Sequence, residues 1–261
     1  MRLRARSPEA PLPLSSPPSL TSPPPPPLPQ ALTPAVPCAH VTCLKLDSNS
    51  LAYLSSSFFN DAMDLLLSRL PALQALHLGN NQLDPKQTAE LAASFVKHKV
   101  NRLRSLTLGS NDIGDAGLAA ILKALPPSME QLYLHGTQIS DEGCAELKKA
   151  IQRLPNLWGL GLNGNPVSDA GVKVLSEGFM HHATLQDVGV TLSDMSDEGC
   201  RVLGAALATC PSLRFCYLYS SGFKAATRVT DAGKEALKKC LPVRKAGGRG
   251  RGRGRGARAR G

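Results

Sequence analysis

Apolar residues return at a nearly constant interval along most of this chain, and the stretch 157–179 shows the pattern most clearly. Leu160 and Leu162 alternate there with glycines, which predicts a short, half-buried strand. After an Asn-Pro turn, Val172 and Leu175 fall on one face of a predicted helix. A strand and a helix this short cannot bury their apolar faces alone, so the unit needs copies of itself.

Six further copies of this unit accompany it along the sequence. Aligned on their first apolar residue, the seven units begin at Val41, Leu73, Leu103, Met129, Leu157, Leu185 and Leu213. An interval of 26 to 32 residues is typical of a solenoid, in which neighbouring units bury one another's faces. The pattern therefore predicts an α/β fold of about seven strand–turn–helix repeats with one parallel sheet.

Polar residues recur at two positions in the units. We interpret the residues after each strand as a structural turn ladder that satisfies backbone groups of the adjacent coil. They are Asn49, Asn81, Asn111, Thr137, Asn165, Ser193 and Ser221. An Asp-x-Gly triplet opens five helices, and we expect its carboxylate to cap the N terminus of its own helix. The aspartates are Asp115, Asp141, Asp169, Asp197 and Asp231.

The combined motif, LxxLxLxxN/S followed by D-x-G and two helical leucines, resembles the ribonuclease-inhibitor type of leucine-rich repeat. The resemblance covers Val41 to about Leu241. It implies a horseshoe arc with parallel strands on the concave face and helices on the convex face. It also implies a non-enzymatic scaffold for protein–protein interaction, since such repeats bind proteins far more often than they catalyse. A GTPase-activating or ribonuclease-inhibitor-like regulator is the minor alternative, because fold alone does not decide function.

Strand residues that point away from the core form a surface that we call the strand face, and partner binding is expected there. Its middle should be small and bare, because Gly159 and Gly161 lie in one strand. Aromatic residues in the last repeat are typical binding anchors, although they would also serve to cover the end of a solenoid. The candidate partner-binding residues are Lys45, His77, Thr107, Tyr133, His135, Trp158, Asp187, Phe215, Tyr217 and Tyr219.

Net charge divides the chain into three parts: a proline-rich arm (1–37), a repeat domain (38–243) and an Arg/Gly-rich tail (244–261). The whole chain carries +10, but the arm and the tail hold this excess and the repeats are neutral. The arm holds 13 of the 21 prolines, which favours a disordered polyproline II segment. We interpret it either as a solvated spacer or as a ligand for an SH3, WW or profilin-type partner.

The tail predicts a second kind of partner. Glycine keeps such a segment disordered, and its arginines suit phosphates and bases, so an RNA-associated adaptor is the alternative function. The tail would otherwise solubilise or target the protein. Its candidate nucleic-acid residues are Arg249, Arg251, Arg253 and Arg255.

No catalytic, cofactor or metal motif is predicted. Cys38, His40 and Cys43 have metal-like spacing but supply three ligands, whereas a structural zinc site needs four. The odd number of cysteines, seven, favours reduced thiols and therefore a cytoplasmic or nuclear location. The arginine-rich, acid-poor start keeps an organelle transit peptide open as an alternative. No apolar run is long enough to span a membrane.

Overall fold

The computed structural model describes residues 38–191, 194–217 and 228–240. Within these residues, seven parallel strands form one sheet in chain order. The strands are β1 Cys43–Lys45, β2 Ala75–His77, β3 Ser105–Thr107, β4 Gln131–Tyr133, β5 Gly159–Gly161, β6 Asp187–Gly189 and β7 Phe215–Tyr217. Their central residues pair in the predicted register: Leu44, Leu76, Leu106, Leu132, Leu160, Val188 and Cys216. The predicted repeat fold is confirmed.

One helix follows each strand, and consecutive helices pack side by side. The helices are α1 Ser56–Arg69, α2 Pro85–Lys97, α3 Gly114–Ala124, α4 Asp141–Arg153, α5 Asp169–Phe179, α6 Asp197–Leu207 and α7 Asp231–Cys240. A 3-10 turn, Leu51–Tyr53, precedes α1. The inward-facing side chains of strands and helices form one continuous core, in which Leu160 is 1% exposed and Leu175 and Phe179 are fully buried.

Buried amides of the turn ladder join successive repeats. Asn165 Oδ1 accepts hydrogen bonds from the backbone N–H groups of Thr137 (2.9 Å) and Ile139 (3.1 Å). Its Nδ2 donates to the carbonyls of Leu134 and Leu162, both at 2.8 Å. Equivalent bonds to both repeats are made by Asn81 and Asn111. The predicted ladder positions Ser193 and Ser221 lie outside the described residues.

Four of the five helix-opening aspartates differ from our expectation, because each of these carboxylates binds the following repeat, whereas Asp231 accepts a hydrogen bond from Lys234 Nζ of its own helix at 3.0 Å. Asp141 Oδ1 accepts from Ser168 N at 2.7 Å, and Asp141 Oδ2 accepts from Ser168 Oγ at 2.5 Å. Ser168 Oγ in turn accepts from Ala170 N and so caps α5. We call this contact the carboxylate clamp. It occurs at four junctions: Asp115–Ser140, Asp141–Ser168, Asp169–Ser196 and Asp197–Thr230.

The carboxylate clamp explains the glycine in four of the five Asp-x-Gly triplets: Gly143, Gly171, Gly199 and Gly233. A Cβ added at Gly171 would overlap Asp141 Oδ1 and lie 2.7 Å from Val167 Cγ1. Glycine is therefore required because the preceding repeat's carboxylate occupies the space of a side chain. The requirement is one of close approach rather than of backbone conformation.

Candidate functional site

The middle of the strand face is covered, and the prediction that it would be bare is wrong. Tyr133 of β4 lies across the neighbouring strand β5. A Cβ built on Gly159 would lie 3.3 Å from Tyr133 Oη, and one built on Gly161 would lie 2.9 Å from Tyr133 Cδ1. The two glycines thus form a floor on which the tyrosine ring packs.

Aromatic residues of β7 continue this surface. The rings of Phe215 and Tyr217 are stacked, with centroids 5.9 Å apart and planes 4° from parallel. Tyr217 is 48% exposed, and the Arg214 guanidinium carbon lies 5.9 Å from the Phe215 ring centroid. Aromatic faces attract cations, so the arginine stabilises this arrangement. Tyr219, predicted to extend the group, lies outside the described residues.

Electrostatics link Tyr133 to the last two strands. Burial raises the pKa of the Tyr133 hydroxyl, and the negative charges of Asp187 and of ionised Tyr217 raise it further. The strand register places four side chains of β4, β6 and β7 on the same face of the sheet, and we call them the aromatic cluster: Tyr133, Asp187, Phe215 and Tyr217. The group combines three aromatic rings with one acidic side chain.

The other predicted residues lie apart from the aromatic cluster. His77 Nδ1 and Thr107 Oγ1 are 3.2 Å apart on β2 and β3, and Lys45 is exposed on β1. The ring of His135 covers Gly109, where an added Cβ would overlap it. Burial lowers the pKa of His135, so its imidazole is neutral at pH 7. These residues form a polar half of the strand face.

Trp158 lies at the edge of the sheet rather than in the rows of the strand face. It immediately precedes β5, and its backbone N–H donates to the Glu130 carbonyl at 2.9 Å. Side chains in this column contact one another along the edge, as Arg104 Nη1 and Glu130 Oε1 do at 2.7 Å. The half-buried indole therefore belongs to a different surface from the aromatic cluster.

Charge is segregated between the two edges of the sheet. The net charge of the repeats does not reveal this pattern. Acidic residues predominate after the strands and at the helix starts: Asp47, Asp84, Asp112, Asp115, Asp141, Glu142, Asp169, Asp194, Asp197, Glu198 and Asp231. Basic residues predominate at the helix ends and before the strands: Arg69, Lys97, Lys99, Arg102, Arg104, Lys123, Arg153, Arg214, Lys238 and Lys239. Position relative to each predicted strand was the sequence signal for this pattern. We call the second surface the basic edge.

The described part of the chain contains no group of three or more His, Cys, Asp or Glu residues placed to hold a metal ion. No helix there is both long and apolar enough to cross a bilayer. Six cysteines in the described part of the chain are free thiols: Cys38, Cys43, Cys144, Cys200, Cys210 and Cys216.

Comparison with known proteins places this fold. A family model described as a leucine-rich repeat matches residues 102–122, which include β3 and most of α3. The chain has the leucine-rich repeat fold. The assignment of its repeats to the ribonuclease-inhibitor type stays a prediction.

No curated protein sequence matches this leucine-rich repeat chain. Among solved structures it is similar to the Caenorhabditis elegans tropomodulin C-terminal domain, with 14% identity and a TM-score of 0.47. That match covers 57% of this chain and 92% of the other. It is also similar to the TLR13 chain of a TLR13–ssRNA13 complex, with 16% identity and a TM-score of 0.36. There the match covers 72% of this chain but only 28% of the other.

Proposed function

We propose that this leucine-rich repeat chain is a non-enzymatic scaffold that binds a protein partner through its strand face. The aromatic cluster is the centre of the contact. The observation that carries the proposal is the stacked pair Phe215 and Tyr217, held on an open sheet face with nearly half of the Tyr217 side chain exposed.

The geometry of the aromatic cluster favours binding over simple closure of the solenoid. Phe215 and Tyr217 flank Cys216, which packs towards the core, so their rings project from the opposite face of β7. A residue that closed the end of the core would lie over the core instead. The strand-face position supports a role in contacting another molecule.

The chemistry of the aromatic cluster fits a protein surface. Tyrosine and phenylalanine supply a large contact area with few rotatable bonds, so their ordering on binding costs little entropy. Packing on the glycine floor holds Tyr133 in place before any partner arrives. Asp187 adds one negative charge, which favours a partner that presents a basic side chain beside an apolar one.

We also propose that the chain has three parts, an arm (1–37), a repeat domain (38–243) and a tail (244–261), and that the protein is cytoplasmic or nuclear. The Pro-rich arm and the tail residues Arg249, Arg251, Arg253 and Arg255 lie outside the described residues. Their SH3, WW, profilin-type and RNA partners are therefore still predicted from sequence alone.

Affinity capture with matched tyrosine variants tests the scaffold proposal. Tyr217→Ala removes an anchor of the aromatic cluster, whereas Tyr53→Ala removes a tyrosine that is 81% exposed on the first repeat. Loss of a binding anchor costs about 2 kcal/mol or more, which corresponds to about 30-fold in affinity. We expect partners recovered with the unmodified chain to be lost with Tyr217→Ala and kept with Tyr53→Ala. Equal recovery with both variants would refute the proposal.

A further inference from the structure

A cleft in the basic edge forms a second candidate surface, separate from the aromatic cluster. It has a volume of about 270 Å³ and is lined by Gln74, Asn101, Arg102, Arg104 and Ser128. Every lining residue is polar, and two of them are arginines. We call it the arginine cleft. Lys99 lies three residues before Arg102 and is also exposed.

Arg102 departs from the structural role of its repeat position. In the following repeats, the equivalent side chains fasten the loop by donating to carbonyls of the preceding repeat. Ser128 Oγ donates to the carbonyl of Leu103 at 2.8 Å, and Thr184 Oγ1 donates to that of Leu157 at 2.9 Å. Arg102 is exposed and makes no hydrogen bond or ion pair with the residues that the structure describes. Its guanidinium is therefore available to a ligand.

Helix dipoles account for only part of the basic edge. A cation in the last turn of a helix stabilises the negative end of the dipole, which explains Arg69 and Lys97 at the ends of α1 and α2. Lys99, Arg102 and Arg104 come after α2 has ended. Their concentration between α2 and β3 is thus surplus to helix stability.

The lining of the arginine cleft selects the class of ligand. Protein interfaces are anchored by buried aromatic or apolar side chains, and the cleft lining contains none. Guanidinium forks match phosphate oxygens bidentately, and amide and hydroxyl side chains are common phosphate contacts. Arg104 keeps exposed donors although it pairs with Glu130, since its side chain is 55% exposed.

Trp158 extends this surface along the edge. It occupies the same column as Arg104, two strands further on, which places it about 10 Å away at about 4.8 Å per strand. Aromatic side chains beside a cationic track stack on the bases of single-stranded nucleic acids. We infer that the arginine cleft binds the phosphodiester backbone of single-stranded RNA, with Trp158 contacting a neighbouring base.

The test uses the full chain and a 15-nucleotide oligouridylate, with binding followed by fluorescein anisotropy and by Trp158 emission. Because Trp158 is the only tryptophan in the sequence, its emission reports binding at this edge and not at the tail. The double variant Arg102→Gln/Arg104→Gln is compared with the double variant Lys86→Gln/Lys173→Gln. The second pair removes the same charge from exposed sites elsewhere.

We expect RNA to quench Trp158 emission in the unmodified chain and in the lysine control. Loss of two single-strand phosphate contacts should weaken binding about 25-fold at 0.1 M salt and reduce the salt slope by about 1.4. Arg102→Gln alone, at an exposed position, should weaken binding about fivefold. It supplies the same test if the double variant fails the circular dichroism check of folding.

Three results would overturn the inference. The first is RNA binding with no change in Trp158 emission, which would assign binding to the tail. The second is an arginine variant that behaves like the lysine control. The third is a stronger Trp158 response to polyglutamate than to RNA, which would assign the cleft to an acidic protein segment. None of these outcomes depends on the aromatic cluster, so the scaffold proposal is tested separately.

Discussion

Replacing Gly171 with alanine tests how the carboxylate clamp joins one repeat to the next. The added Cβ would overlap Asp141 Oδ1 and lie 2.7 Å from Val167 Cγ1 and 3.0 Å from Asp141 Cα. The overlap with Oδ1 can be relieved only if the Asp141 side chain rotates away from its present position, and the contact with Val167 is also too close to be kept. The carboxylate must leave Ser168, or α4 and α5 must separate.

The cost follows from the bonds that are lost. Asp141 accepts two hydrogen bonds from Ser168, and a bond to a charged group contributes about 1.5–3 kcal/mol. Alanine is favoured over glycine in a helix by about 1 kcal/mol, which offsets part of the loss. We therefore expect Gly171→Ala to lower the free energy of unfolding by about 3 kcal/mol.

Gly117 provides a matched control at the same repeat position. In the preceding repeat Pro85 replaces the clamp aspartate, and the closest atoms to an added Cβ are Pro85 Cα at 3.1 Å and Thr88 Cβ at 3.2 Å. Small shifts can accommodate that methyl group, so Gly117→Ala should cost less than about 1 kcal/mol. Both variants would be measured by urea unfolding, followed by circular dichroism and by Trp158 emission.

The clamp also predicts that substitutions at Asp141 and Gly171 do not have additive effects on the free energy of unfolding. With the carboxylate removed by Asp141→Ala, Gly171→Ala should cost less by about 1–3 kcal/mol than it does in the unmodified chain. At about 3 kcal/mol per molar urea, the single glycine variant should shift the midpoint by about 1 M. Equal midpoints for the two glycine variants, or a strictly additive cycle, would refute the clamp as the reason for the glycine.

Three further predictions concern other contacts. Asn165→Ala removes four buried hydrogen bonds to backbone groups and should cost about 4 kcal/mol, lowering the thermal midpoint by about 10 °C; a change below 2 °C would contradict the ladder's role. Gly109→Ala should destabilise the fold through overlap with the His135 ring, and adding His135→Ala should restore most of the loss; an unrescued loss would place the strain elsewhere. Hydrogen bonding from Lys97, then from Ser94, lowers the pKa of Asp64 below its ordinary 3.8. The stabilisation should be present above pH 3.8 and lost as pH falls through the lower folded pKa. The difference between the unmodified chain and Asp64→Asn should therefore shrink from pH 7 to pH 2, and a constant difference would exclude this carboxylate as the source.

The sheet could be predicted from sequence because the same strand pattern occurs in every repeat. Each strand shows the same alternation, so one ambiguous unit such as Val188 or Cys216 is assigned by its neighbours. The observed pairing of all seven central residues follows from that redundancy. Leucine spacing also fixed which side of each helix enters the core.

The carboxylate clamp could not be read from one repeat, because Asp and Ser each have a plausible role at a helix N terminus. Only their pairing across repeats distinguishes the roles. A signal was present: Gly114 stands where Ser140 and Ser168 stand in later repeats, and it follows the one junction where Pro85 replaces the aspartate. The coupled change of donor and acceptor indicates a contact between repeats.

The strand face was predicted less well than the core. Gly159 and Gly161 were expected to be uncovered because alternation along a strand predicts which face a side chain points to. It does not predict how far a side chain extends over the neighbouring strand. A tyrosine ring extends beyond the spacing of adjacent strands, about 4.8 Å, so Tyr133 covers both glycines. The position of Trp158 on the edge likewise depends on its lying just before β5 rather than within it.

Site-specific photocrosslinking tests the scaffold claim most directly. A benzophenone amino acid would replace Tyr217 in the aromatic cluster or, as the control, Tyr53 on the first repeat, in otherwise unmodified full-length chains. The proposal predicts that position 217 crosslinks to a defined protein, whose adduct disappears when Asp187→Asn is added, while position 53 does not crosslink to it. The same adducts from both positions, or none from position 217 under conditions where the partner is captured, would contradict the proposal.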